Sequence, residues 1–227
     1  MEKGARYVRK YLYLAMAAAS ASVLAAPVAA SATPTAAHHV LTVGKAGGTA
    51  VKVGAKLTAS LVKGTTATFS LGSMKLTCKV ASFSATVTSN PTKPGKALES
   101  ITAQSISKCK TNVAGITIKS TKASNLPWKA SASDAKGDPL VITGQSAKKP
   151  IELSATAALG TSSVTCSYKA TTVKAAGSNK GNTVTVTKQK FSRIGTNAIC
   201  PASASFSAVF GPVKDTSVKG SPAVFVN

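Results

Sequence analysis

Met74-Lys75-Leu76-Thr77-Cys78-Lys79-Val80 is the stretch on which the fold class turns. Side chains of an extended chain alternate between two faces, so Met74, Leu76, Cys78 and Val80 share one face and Lys75, Thr77 and Lys79 the other. One face is apolar and the other is wet. The alternation recurs at Phe83, Ala85 and Val87, at Ile151, Leu153, Ala155, Ala157 and Leu159, at Val164, Cys166, Tyr168 and Ala170, and at Ala204, Phe206, Ala208 and Phe210. No comparable stretch carries helical periodicity with start and stop signals. Parallel sheets would show continuous apolar runs with helices between them, so the chain reads as all-β and antiparallel. The expected architecture is a β-sandwich, immunoglobulin-like or related.

Turn clusters separate these segments: Asn90-Pro91, Lys93-Pro94-Gly95, Asn125-Leu126-Pro127, Asp134 to Pro139, Gly177 to Asn182, and Lys219 to Pro222. Their short spacing suits a sandwich or barrel. Leu76-Thr77-Cys78 is followed by Cys109, and Val164-Thr165-Cys166 by Cys200, at similar separations. This internal repetition predicts two homologous halves, 58–137 and 138–227, after a lead-in and first strand over 33–57. Four cysteines allow three pairings; the simplest is one bridge per half, Cys78 with Cys109 and Cys166 with Cys200. Large apolar side chains are scarce and alanines many, so bridges would supplement a thin core.

Residues 1–32 have the layout of a secretory signal peptide. A cationic start (Lys3, Arg6, Arg9, Lys10) precedes an apolar stretch from Leu12 to about Ala26, and Ala30-Ser31-Ala32 offers small residues for cleavage before Thr33. The strongly apolar part is shorter than the ~20 residues of a spanning helix, and nothing later in the chain is apolar for long enough. Expected localisation is therefore secreted or extracellular, with association to a cell wall allowed by charge, and no transmembrane segment in the mature chain. An even cysteine count in an oxidising compartment favours disulfides over metal ligation.

The whole chain carries 28 basic and 6 acidic residues; without the leader's four basic residues and Glu2, the net charge is +19. Arg193 is the single arginine after the leader, and the lysines are spread out, with Lys148-Lys149 the one adjacent pair. Bidentate recognition of phosphate or guanine edges favours arginine, and stacking on bases needs aromatics among the basic residues. Neither is present, so specific nucleic-acid binding is not expected. The charge fits solubility and diffuse attraction to polyanions.

Catalytic chemistry finds few candidates. The histidines, His38 and His39, fall in a segment read as a loose lead-in, which disfavours nucleophilic triads. Carboxylate pairs would come from Glu99, Asp134, Asp138, Glu152 and Asp215; a Glu99/Glu152 pair across a sheet is conceivable, against the plainer roles of edge charge or lysine partner. No phosphate loop, calcium loop or dinucleotide fingerprint occurs. The expectation is a non-enzyme with no catalytic residue, no cofactor and no metal. Trp128 is the one ligand-contact candidate, as a stacking platform beside a proline turn. A core tryptophan is the favoured alternative, and Tyr168 is read as core too.

Thr88-Ser89-Asn90-Pro91, Asn125-Leu126-Pro127-Trp128, Ile199-Cys200-Pro201-Ala202-Ser203 and the ending Gly220 to Asn227, with the cysteine spacing, resemble a group of actinobacterial secreted β-rich proteins of unknown function. That resemblance implies a cleavable signal peptide, two disulfides and a β fold; it implies no activity. The chain is also loosely similar to the secreted chromoprotein carriers of enediyne antibiotics, an analogy of fold alone.

These readings converge on a non-catalytic secreted or cell-wall-associated protein with diffuse affinity for anionic envelope polymers or acidic lipid head groups. The alternative is an extracellular small-molecule carrier with an apolar cleft near Trp128.

Overall fold

The structure is a computed structural model and describes residues 38–227. The expected signal peptide and residues 33–37 lie outside the described residues. Among those described there is no helix. The strands in chain order are β1 (Leu41–Val43), β2 (Thr49–Ala50), β3 (Lys56–Ser60), β4 (Ala67–Leu71), β5 (Met74–Ser89), β6 (Lys96–Thr111), β7 (Ile116–Ser124) and β8 (Trp128–Ser133). They continue with β9 (Pro139–Thr143), β10 (Ile151–Leu159), β11 (Ser162–Ala170), β12 (Thr172–Ser178), β13 (Thr183–Ile194), β14 (Ser203–Phe210), β15 (Lys214–Asp215) and β16 (Val224–Val226).

The antiparallel all-β expectation holds, but the sandwich does not. Strands β12, β9, β8, β6, β5, β4, β14 and β13 pair in that order, and β12 pairs again with β13, so eight antiparallel strands close into a barrel. Strands β11, β10 and β7 continue from β13 outside the wall, and β3 and β15 extend from β5. A sandwich and a barrel require the same inside–outside alternation, so sequence pattern cannot separate them; strand partnership does.

Two irregularities make the closure work. In β13 the register shifts between Val186 and Gln189, where Lys188 takes a positive φ of 44° and its backbone N–H donates to Ser207 Oγ at 2.9 Å. A bulge of this kind bends a strand, and it lets the first part of β13 pair with β12 and the last part with β11. The segments read as separate strands at 74–80 and 83–87 are one strand, β5, which changes phase midway. Leu76 and Cys78 are buried, Val80 turns out at 37% exposure, and burial resumes one residue out of step at Ala81.

The two expected halves are not separate units. Each side of the 137/138 division gives four strands to the one barrel. The strand carrying Cys78 is part of the wall, whereas its supposed counterpart carrying Cys166, β11, lies outside it. The disulfides are Cys78–Cys109 and Cys166–Cys200. The first joins directly paired residues of β5 and β6; the second ties β11 to the loop before β14.

A small sheet, β16-β1-β2, covers one end of the barrel, and asparagine amides hold it there. Asn90 Oδ1 accepts from Leu41 N at 2.9 Å, and Asn90 Nδ2 donates to the carbonyls of Leu41 and Val51 at 2.9 and 2.8 Å. Asn227 Nδ2 donates to His39 O and Thr42 Oγ1 at 2.7 and 3.0 Å, and its Oδ1 accepts from Gly47 N. Buried backbone groups need such partners where no ladder supplies them. The histidines are therefore not in a loose segment: His39 pairs with Thr92 and contacts Asn90 O through Nδ1 at 2.6 Å, and the His38 carbonyl accepts from Lys93 N.

Candidate functional site: the barrel interior

The inward faces do not fill the barrel. Because so many inward positions are alanine (Ala81, Ala85, Ala97, Ala130, Ala132, Ala208), the ring of strands leaves a cavity of about 110 Å³. Its wall draws on Phe83 of β5, Ile101 of β6, Trp128 of β8, Leu140 of β9, Val173 of β12, Val186 of β13 and Phe206 and Phe210 of β14. Leu41, Val224 and Val226 of the small sheet also line it, so that sheet closes one end. Phe83 and Phe210 meet edge to face with centroids 5.3 Å apart, which fixes two of the rings. An apolar cavity of roughly 150 Å³ holds benzene, and this space is smaller but of the same order.

A second cavity of about 120 Å³ lies between the other end of the barrel and β7, β10 and β11. Gln104, Ile106, Leu153 and Phe191 line both spaces, so the two adjoin there. Ile199 lines the second cavity and is 63% exposed, which brings that cavity to the surface at the loop before β14. Arg193 holds this loop: its Nη1 donates to the carbonyls of Asn197 and Cys200, and the Cys166–Cys200 bridge anchors the same point. The only arginine outside the leader thus serves the scaffold. Tyr168, buried as expected, donates from its hydroxyl to Pro201 O at 3.1 Å; burial pushes its pKa up, partly offset by Arg193.

Trp128 is a core residue that also borders the first cavity. It is buried, its indole N–H donates to Ser124 O at 2.9 Å, and its ring forms part of the first cavity's wall. The Asn125-Leu126-Pro127 turn ahead of it is held by Asn125 Nδ2 donating to Pro150 O at 3.0 Å.

Glu99 is the residue that sequence reasoning underrated. On β6, Ala97 (0% exposed) and Ile101 (5%) face inward, and Glu99 between them faces inward too, while Leu98 is 46% exposed on the outside. It stands opposite Val87 on one side and Ala130 on the other, and the Ile101–Trp128 pair comes next along the ladder. It is half-buried and lines the cavity. Burial alone pushes its pKa from 4.5 to about 7, with no charged neighbour acting on it. Period two on Ala97 and Ile101 was the available signal, and Leu98 obscured it.

The other carboxylates separate. Asp138 lines the same cavity near Gly177, and burial raises its pKa as well. Gly177 permits this approach: its N–H donates to Asp138 O at 2.8 Å, and a Cβ there would meet Asp138 at 3.0 Å. Asp134 Oδ2 accepts from Gly95 N at 3.0 Å, Asp215 is buried with Oδ1 accepting from Ser217 N at 2.9 Å, and Glu152 accepts from Asn125 Nδ2 at 3.3 Å. Glu152 lines neither cavity, so a Glu99/Glu152 pair is not assembled. Among the described residues no group of three or more His, Cys, Asp or Glu is arranged to hold a metal.

Every lysine from Lys45 to Lys219 is exposed. No family model, curated protein or solved structure matches the chain.

Proposed function

We propose that this protein is a non-catalytic extracellular carrier that holds a small, largely apolar molecule inside its barrel. The observation that carries the reading is the cavity bounded by Phe83, Ile101, Trp128, Leu140 and Phe206, an apolar enclosure with few polar groups, which is the usual character of a small-molecule site. Two disulfides fit an oxidising compartment, and no helix among the described residues is long and apolar enough to cross a membrane. The secretory leader of the sequence supports export.

The test is a titration with toluene and larger aromatic hydrocarbons, followed by Trp128 emission, on the wild type and on Ala132→Phe. Ala132 lines the cavity, so a phenyl group there occupies the space a ligand needs. Saturable changes in Trp128 emission that weaken at least tenfold in Ala132→Phe support the reading. Equal affinity in both proteins, or no saturable change, counts against it.

A second reading rests on the uniformly exposed lysines: diffuse attraction to anionic envelope polymers or acidic lipid head groups, which would keep a released carrier near the cell surface. Such attraction weakens as salt screens it, so partitioning onto purified cell wall that ignores ionic strength would dispose of this reading.

A further inference from the structure

We infer that the molecule taken by the barrel is an apolar amine, a compact hydrocarbon body with one basic nitrogen whose N–H groups are received by Glu99. This inference rests on the carrier reading and names the class of its ligand.

Polar groups on the cavity wall include acceptors without donors. Glu99 projects a carboxyl group into an apolar space, with no charged neighbour to offset its burial. Asn182 is 92% buried and also lines the cavity; its Nδ2 donates to Val224 O, which fixes the amide orientation and leaves Oδ1 as a buried oxygen without a partner. Asp138 adds a second carboxyl group at that end. Each of these is an acceptor. A buried acceptor left unmet is destabilising, and a donor-bearing ligand removes the penalty on binding.

Cations are missing from the same wall. Among the described residues no lysine, arginine or histidine lines the cavity; the lysines are exposed, and Arg193 is committed to two carbonyls. The residues directly opposite Glu99 on the flanking strands, Val87 and Ala130, are apolar, and among the described residues Asp138 is the only other titratable group on the wall. An anionic ligand would meet like charge in a poorly solvated site, while an ammonium group would gain a partner there. The placement of Glu99 also runs against what folding alone favours. Its neighbour Leu98 is left in solvent while the carboxylate goes inside, and such reversals of pattern belong to functional sites.

The experiment compares one hydrocarbon body in three forms, benzylamine, toluene and benzoate, by calorimetry on the purified protein and on Glu99→Gln. At pH 8 benzylamine binds at least tenfold more tightly than toluene, benzoate binds least, and Glu99→Gln loses the preference for the amine. In the wild type the amine's advantage falls about tenfold from pH 8 to pH 6 as the carboxylate is protonated, and it stays flat in Glu99→Gln. Toluene binding with no preference for benzylamine overturns the amine inference and leaves the carrier reading standing. Absence of binding by all three forms overturns both.

Discussion

Replacing Glu99 with Gln stabilises the empty protein at alkaline pH and does almost nothing at pH 4. The sign follows from linkage. The Glu99 pKa is about 7 in the folded protein against 4.5 in the unfolded chain. The folded state therefore holds its proton more tightly, and its contribution is fully present below pH 4.5 and is lost as pH rises through 7. At 1.36 kcal/mol per pKa unit the shift corresponds to a loss of about 3 kcal/mol, and the partial exposure of Glu99 lowers this to about 2 to 3. Gln is close in shape and never ionises, so it escapes the loss. The assay is urea unfolding of wild type and Glu99→Gln, disulfides intact, at pH 4, 5.5, 7 and 8.5. Only the difference between the two proteins is read at each pH, so titrations common to both cancel. The gap should open between pH 4.5 and 7 and then level. A gap independent of pH, or a variant less stable at pH 8.5, would refute the placement of an unpaired carboxyl group inside the barrel.

Three further outcomes follow from the scaffold. Removing Cys78–Cys109 or Cys166–Cys200 as a Cys→Ala pair opens a loop with sequence separation 31 or 34 and costs about 3.5 to 4 kcal/mol in either case, measured by denaturant midpoints. Loss of the second bridge also frees the loop carrying Ile199, so limited proteolysis there should accelerate only in that variant. Asn90→Ala leaves the N–H of Leu41 and two buried carbonyls unmet and lowers stability by about 2 to 4 kcal/mol, with amide exchange rising first in β1 and β2. Trp128→Ala costs about 3 to 5 kcal/mol through lost packing, whereas Trp128→Phe, which keeps a ring but not the N–H donated to Ser124 O, costs less.

The local pattern of this protein was legible in its sequence and its closure was not. Ile151 to Leu159 and Ala204 to Phe210 form the strands their alternation announced, the turn clusters fall at strand junctions, and both disulfides pair as the simplest connectivity required. The step from sheets to a barrel depends on β12 meeting β13, a pairing of Ala175 to Ser178 with Thr183 to Val186 that carries no distinctive residue. The apparent repeat misled because a cysteine after Leu-Thr or Val-Thr marks a strand wherever that strand is placed. Trp128 was visible as the largest group available to an alanine-rich core, and the same alanines that made the core look thin are what leave space beside it. Glu99 was hidden because the pair Leu98-Glu99 offers the inside to leucine on hydrophobicity, while the flanking Ala97 and Ile101 decide the face. His38 and His39 were misplaced because the contacts that order them come from Asn90, Thr92 and Asn227, far along the chain.

Methyl spectra of the purified, isotopically labelled protein during a toluene titration test the interior ligand site most directly. The account predicts saturable shifts at Ile101, Leu140 and Val186, which line the cavity, and none at the exposed Val53, Leu98 and Val113. Shifts confined to the exposed methyls, or no saturable shift at the three interior ones, would contradict it.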